Sequence, residues 1–176
     1  MTVAVVLAGG ESRRMGEDKA AMFGGVGRLQ ACLAQTSVSK TIVLCGKPHR
    51  QSLFSGEVWH DPPHLEGLHR IVPWVLDALD DDVVLIPCDG FLLTAQAVDD
   101  LMLAAPEGGV PVDEAGQRQP LFAYLPKGVN LDRSAHRVEA LLAGVPTVEL
   151  NAHRAAFSNF NKPEDLARHE LQHRSS

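Results

Sequence analysis

Residues Thr2-Val3-Ala4-Val5-Val6-Leu7 form a β-branched run that stops at Ala8-Gly9-Gly10. A half-exposed strand alternates polar and apolar side chains. This run has no polar face beyond its first residue, so it predicts a strand from Thr2 to Leu7 buried on both sides. Strands of that kind belong to parallel sheets whose crossovers lay helices over both faces. A second such run, Val83-Val84-Leu85-Ile86, closes in Pro87-Cys88-Asp89. Two strands of this type place the rest of the chain in an α/β arrangement.

The segments between them alternate accordingly. A helix is expected over Gly27–Gln35, a strand over Thr41–Leu44 and a short strand over Val58–His60. An amphipathic helix follows from Leu68 to Leu79, with Leu68, Ile71, Val72, Val75, Leu76 and Leu79 on one face. Asp80-Asp81-Asp82 reads as a solvated turn. Thr94 is placed to cap a helix running to Ala104. Val110–Val112 and Leu121–Tyr124 read as strands flanking the polar turn Asp113–Arg118. A helix over Ser134–Ala143, a strand near Thr147–Leu150 and a helix start at Pro163–Arg168 close the pattern. Alternation of this kind predicts a three-layer α/β/α fold with a mainly parallel, mixed sheet. At 176 residues, the whole chain, 1–176, is expected to form one domain.

Composition narrows the function. The net charge of −6 argues against a nucleic-acid partner, although a few local cations can still dominate one cleft. No apolar stretch is long enough for a membrane span, and no signal peptide is evident, so a cytoplasmic protein is expected. Cys32, Cys45 and Cys88 lack metal or redox spacing, and Cys45 and Cys88 read as buried thiols. His60, His64 and His69 lie around Asp61 without the helical pairing of a zinc site.

In open α/β sheets, ligands bind beyond the carboxyl ends of the strands. Gly9-Gly10, Asp61 and Asp89 are all expected at such ends. Glycines let backbone approach a ligand closely. Arg13, Arg14 and Lys19 follow within ten residues, which suits a phosphate site. Neither the Walker A spacing nor the dinucleotide Gly-x-Gly-x-x-Gly fingerprint is present. Asp89, at the mouth of the sheet, is the strongest metal candidate, because Mg2+ is commonly held by one or two carboxylates together with substrate phosphates.

Leu7-Ala8-Gly9-Gly10-Glu11-Ser12-Arg13-Arg14-Met15-Gly16-Glu17-Asp18-Lys19 resembles the signature L-A-G-G-x-S-x-R-M-G-x-D-K of Rossmann-like nucleotidyltransferases, and within them the MobA-type molybdenum cofactor guanylyltransferases. Pro87-Cys88-Asp89 is similar to that family's P-C-D motif. Phe157-Ser158-Asn159-Phe160-Asn161-Lys162-Pro163-Glu164-Asp165-Leu166 resembles its F-x-N-x-N-T-P-E-D-L segment.

The resemblance implies Mg2+-dependent transfer of GMP from GTP to molybdopterin with release of pyrophosphate. It implies catalytic roles for Lys19, Arg14 and Asp89, with the metal on Asp89. It implies nucleotide contacts from Leu7, Ala8, Gly9, Gly10, Lys19, Asp61 and Asp89, and acceptor contacts from Arg118, Asn159 and Asn161, with His136 and Arg137 on the same side. Molybdoenzymes or other cofactor-biosynthesis proteins are the implied partners. Gly9 and Asp18 favour GTP over the CTP-using relatives.

The chain departs from the family pattern at three places. Glu66-Gly67-Leu68-His69-Arg70 stands where the family has Gly-Pro-Leu-x-Gly, Cys45-Gly46-Lys47 where it often has an asparagine, and Lys162 where it has threonine. Three alternatives stay open on those departures: transfer of another base such as CMP from CTP, a sugar-phosphate acceptor, and a non-catalytic nucleotide-binding homologue.

Overall fold

A computed structural model describes residues 1–10 and 25–158. The buried runs form adjacent strands. β1 (Thr2–Leu7) pairs in parallel with β2 (Lys40–Leu44) on one side and with β4 (Asp82–Pro87) on the other. β3 (Glu57–Trp59) extends the sheet beyond β2 in the same direction. β6 (Tyr124–Leu125) closes the other edge, antiparallel to β4. The order is therefore β3-β2-β1-β4-β6, a mainly parallel sheet with one reversed edge. β5 (Val110–Pro111) and β7 (Thr147–Val148) pair in parallel as a separate two-stranded sheet.

The period of two along β1 separates the layers. Ala4, Val6 and Ala8 pack with Val26, Leu29 and Leu33 of α1 (Gly25–Leu33) and with Ala97, Val98 and Leu101 of α3 (Ala95–Ala104). Val3, Val5 and Leu7 face the opposite way, toward Ile71, Val72 and Val75 of α2 (Leu68–Leu79) and Leu141 of α4 (Val138–Leu141). Helices thus cover both faces of the sheet, giving three layers, α/β/α. Phe122 and Phe157 meet edge-to-face at 5.5 Å in the first layer, a contact worth about 0.5–1.5 kcal/mol beyond its buried area. Trp59 and Trp74 make a similar contact at 6.0 Å across the second. Among the described residues, no helix is long and apolar enough to cross a membrane.

Several expected elements shift. Among the described residues the first helix covers Gly25–Leu33, taking in Gly25 and Val26 and ending two residues earlier than expected. Thr94 caps as anticipated, accepting from the Ala97 amide at 3.2 Å. The acidic turn shortens to Asp80-Asp81. Asp80 takes the left-handed conformation that ends α2, and Asp82 enters β4. Leu121–Tyr124 is not one strand. Pro120 starts a 3-10 turn through Phe122, closed by the Phe122 amide on the Gln119 carbonyl, and only Tyr124–Leu125 pairs.

The helix expected over Ser134–Ala143 is cut to Val138–Leu141. Asp132 takes both the amide and the hydroxyl of Ser134, holding those residues in a turn. The strand near Thr147 stops at Val148, and a 3-10 segment runs from Asn151 to Phe157. A 3-10 segment over Pro48–Leu53 had no expected counterpart. The helix start at Pro163–Arg168 lies outside the described residues.

Candidate active site

Four backbone hydrogen bonds join the carboxyl ends of neighbouring strands. The Cys88 amide donates to Leu7 O at 3.2 Å, Ala8 to Leu44 O at 2.8 Å, Cys45 to Trp59 O at 2.9 Å and Asp61 to Gly46 O at 2.7 Å. Each bond carries the ladder past the last paired strand residue. Together they bring Leu7–Gly10, Gly46, Asp61 and the Cys88-Asp89 segment to one edge of the sheet. Asp61 follows β3 and Asp89 follows β4. Three strand spacings separate those two strands, roughly 14 Å across the sheet.

Gly9 and Gly46 touch backbone to backbone. A Cβ on Gly9 would stand 2.9 Å from Gly46 Cα, and one on Gly46 would stand 2.7 Å from Gly9 Cα and O. Gly46 also has φ +80, the region that favours glycine. A Cβ on Gly10 would meet nothing within 4 Å among the described residues, whereas the packing there leaves no room for one on Gly9.

Beside this contact lies Arg50, 5% exposed, on the 3-10 segment Pro48–Leu53. Its Nη2 donates to Ala8 O at 2.8 Å and its Nε to Cys45 O at 3.0 Å. The guanidinium lies 5.9 Å from the centre of the Phe54 ring. No sequence motif singles out Arg50. An arginine just after Lys47-Pro48 reads as a surface charge until the strand ends are placed around it.

Asp89 is 6% exposed, in the turn that follows β4. The Gly90 amide donates to Pro87 O at 3.1 Å and the Phe91 amide to Asp89 O at 2.8 Å. Arg28 of α1 reaches this turn, its Nη2 donating to Gly90 O at 3.0 Å. Asp61 is half-buried. Burial pushes its carboxyl above the usual carboxylate range, and His60 beside it pulls it back in part. Burial likewise pushes the Cys45 thiol up, whereas Cys88 is only half-buried.

Arg118 is engaged within the protein. Its Nη2 donates to Leu142 O at 2.9 Å and Val145 O at 3.1 Å, and its Nη1 to the Thr147 hydroxyl. It therefore ties the turn after β5 to the end of α4 and to β7. In the departing loop, Gly67 has φ +85 and the His69 ring lies over it, 2.7 Å from where a Cβ would stand. The His69 and His136 rings lie 6.4 Å apart, edge to face. Arg14, Lys19, Asn159 and Asn161 lie outside the described residues.

Among the described residues, no three His, Cys, Asp or Glu side chains cluster as a metal cage. Asp89 brings one carboxylate to the sheet edge, an oxygen donor of the type that Mg2+ prefers. Mg2+ needs no all-protein cage when substrate phosphates complete its shell, so the residues fit that ion.

The family model of the MobA-like NTP transferase domain matches residues 4–148. A molybdenum cofactor guanylyltransferase of Xanthomonas euvesicatoria pv. vesicatoria (strain 85-10) is 29% identical over 178 residues, covering 93% of this chain and 92% of that protein. The crystal structure of molybdopterin-guanine dinucleotide biosynthesis protein A from Archaeoglobus fulgidus superimposes with a TM-score of 0.69 at 20% identity, covering 100% of both chains. A nucleotidyl transferase from Methanothermobacter gives a TM-score of 0.70 at 16% identity, over 100% of this chain and 99% of its own. The two structural matches support the fold.

Proposed function

The chain belongs to the MobA-like NTP transferase domain family, a family of nucleotidyltransferases, and on that premise we propose that it transfers GMP from GTP to molybdopterin. The observation that carries this reading is the bond from the Cys88 amide to Leu7 O. It sets the segment bearing Asp89 beside the segment bearing Ala8, Gly9 and Gly10. A carboxylate and a glycine turn side by side suit a nucleoside triphosphate with its cation. The likeness to the Xanthomonas guanylyltransferase supports the choice of GTP and molybdopterin.

In the reaction, a phosphate oxygen of molybdopterin forms a bond to the α-phosphorus of GTP. The bond from that phosphorus to the bridging oxygen of the β-phosphate breaks, and pyrophosphate leaves with the electron pair. The attacking oxygen is already anionic, so no general base is required. The protein's task is positioning and charge neutralisation. Leu7, Ala8, Gly9 and Gly10 would line the nucleotide with Asp61. Lys19 and Arg14 would neutralise the triphosphate, and Asp89 would hold Mg2+. Bound there, Mg2+ would offset charge on the phosphates and favour departure of pyrophosphate.

Arg118, Asn159 and Asn161 would contact the acceptor. Amide side chains suit a pterin because they donate and accept together. The same reading places the protein in the cytoplasm and passes its product to molybdoenzymes or other cofactor-biosynthesis proteins.

The test is pyrophosphate release from purified protein with Mg2+ and molybdopterin, comparing GTP, CTP, ATP and UTP, with Asp89→Ala as control. Release with GTP alone, lost in the variant, supports the reading. Release with CTP alone reassigns the base. No release with any nucleotide overturns it.

A further inference from the structure

The carbonyls of Ala8 and Cys45 both accept from Arg50, at 2.8 and 3.0 Å. Each belongs to the same peptide unit as the amide of the next residue, Gly9 or Gly46. The described peptides are trans. In a trans peptide the C=O and N–H bonds point in opposite directions. A carbonyl directed at Arg50 therefore sends the following N–H away from it. Arg50 and Gly46 are buried, whereas Gly9 is exposed. Among the described residues, neither glycine amide donates to a backbone carbonyl.

We infer that Arg50 is a positioning residue, whose guanidinium fixes two peptide planes, that of Gly46 packed beneath and that of Gly9 above it, so that the exposed Gly9 amide faces the bound nucleotide and donates to its oxygen or nitrogen acceptors. The inference rests on the nucleotide-site reading above. A planar fork with separate donors reaches two carbonyls on two strands at once. A lysine ammonium keeps the charge but not that geometry. The glycine contact explains why both strand ends must move together: neither peptide can rotate without pressing on the other.

The experiment is a GTP titration followed by calorimetry and by amide 1H–15N spectra, on the full chain and on Arg50→Lys and Arg50→Met, with thermal melts alongside. In the unaltered protein the Gly9 amide signal shifts on adding GTP. In Arg50→Lys the melt stays near that of the unaltered protein while the GTP dissociation constant rises about tenfold. The KM for GTP rises with it, and the KM for molybdopterin does not. GTP binding with an unmoved Gly9 amide overturns the inference, even if both variants fail to fold. Equal GTP affinity in Arg50→Lys overturns it as well. An unaltered protein that binds none of the four nucleoside triphosphates overturns the functional reading and the inference with it.

Discussion

Gly9 and Gly46 meet so closely that a Cβ on either would stand under 3 Å from the other's backbone. One lies just past β1 and the other just past β2, so their contact closes the gap between two strand ends. Gly46→Ala adds a methyl into that contact and forces a side chain onto φ +80. It is expected to cost about 1–3 kcal/mol of stability and to weaken GTP binding. Gly10→Ala, whose Cβ would meet nothing within 4 Å among the described residues, should leave the melting temperature unchanged. Chemical denaturation of the two variants checks the contrast.

Arg118 stitches three acceptors together: Leu142 O, Val145 O and the Thr147 hydroxyl. Arg118→Met leaves two carbonyls without this donor, and a loss of about 1–3 kcal/mol is expected. If Arg118 also meets the acceptor, the KM for molybdopterin rises while the KM for GTP holds. Steady-state kinetics with each substrate varied in turn, beside a denaturation curve, separates the two effects.

The strands that build the site were legible because β1 and β4 are apolar on both faces, a pattern that solvent-facing segments do not carry. The Thr94 cap was legible for a similar reason, since its chemistry is local. Arg50 was not legible. Its partners lie 5 and 42 residues away, and nothing in the local sequence distinguishes a buried fork from a surface charge. The strand expected over Leu121–Tyr124 overlaps β6 only at Tyr124, because two residues carry no periodicity and pairing with β4 is a tertiary event. The helix expected from Ser134 failed where Asp132 captured Ser134 first. Local hydrogen bonding there outcompeted an apolar pattern.

Asp61 gives a pH dependence. Its carboxyl is raised above 3.8 in the folded protein by burial. The folded state therefore holds this proton more tightly than the unfolded chain does. Stability is highest at low pH as far as this group goes, and falls as pH rises from 3.8 through the folded value. Asp61→Asn removes that loss. It is expected to melt about a degree or two higher at neutral pH, with the difference vanishing below pH 3.8. GTP affinity should fall in the same variant, a gain in stability against a loss of function. Melts across pH, with a GTP titration at neutral pH, test both halves.

Arg28 stands behind Asp89 without replacing it. Its bond to Gly90 O anchors the turn after β4 to α1, so the carboxylate is held from a helix on the first layer. Removing the carboxylate and loosening its support should differ in kind. Asp89→Asn takes away the carboxylate proposed to hold Mg2+ and is expected to lower kcat by about a hundredfold or more. Arg28→Met leaves that carboxylate in place on a less constrained turn. Supporting contacts of this sort cost about tenfold or more in metal affinity when removed. The Mg2+ concentration for half-maximal rate should therefore rise about tenfold, while kcat at saturating Mg2+ recovers toward that of the unaltered protein. Rates measured against Mg2+ at saturating GTP check this. Equal Mg2+ dependence in Arg28→Met and the unaltered protein would show that the Gly90 anchor does not position Asp89.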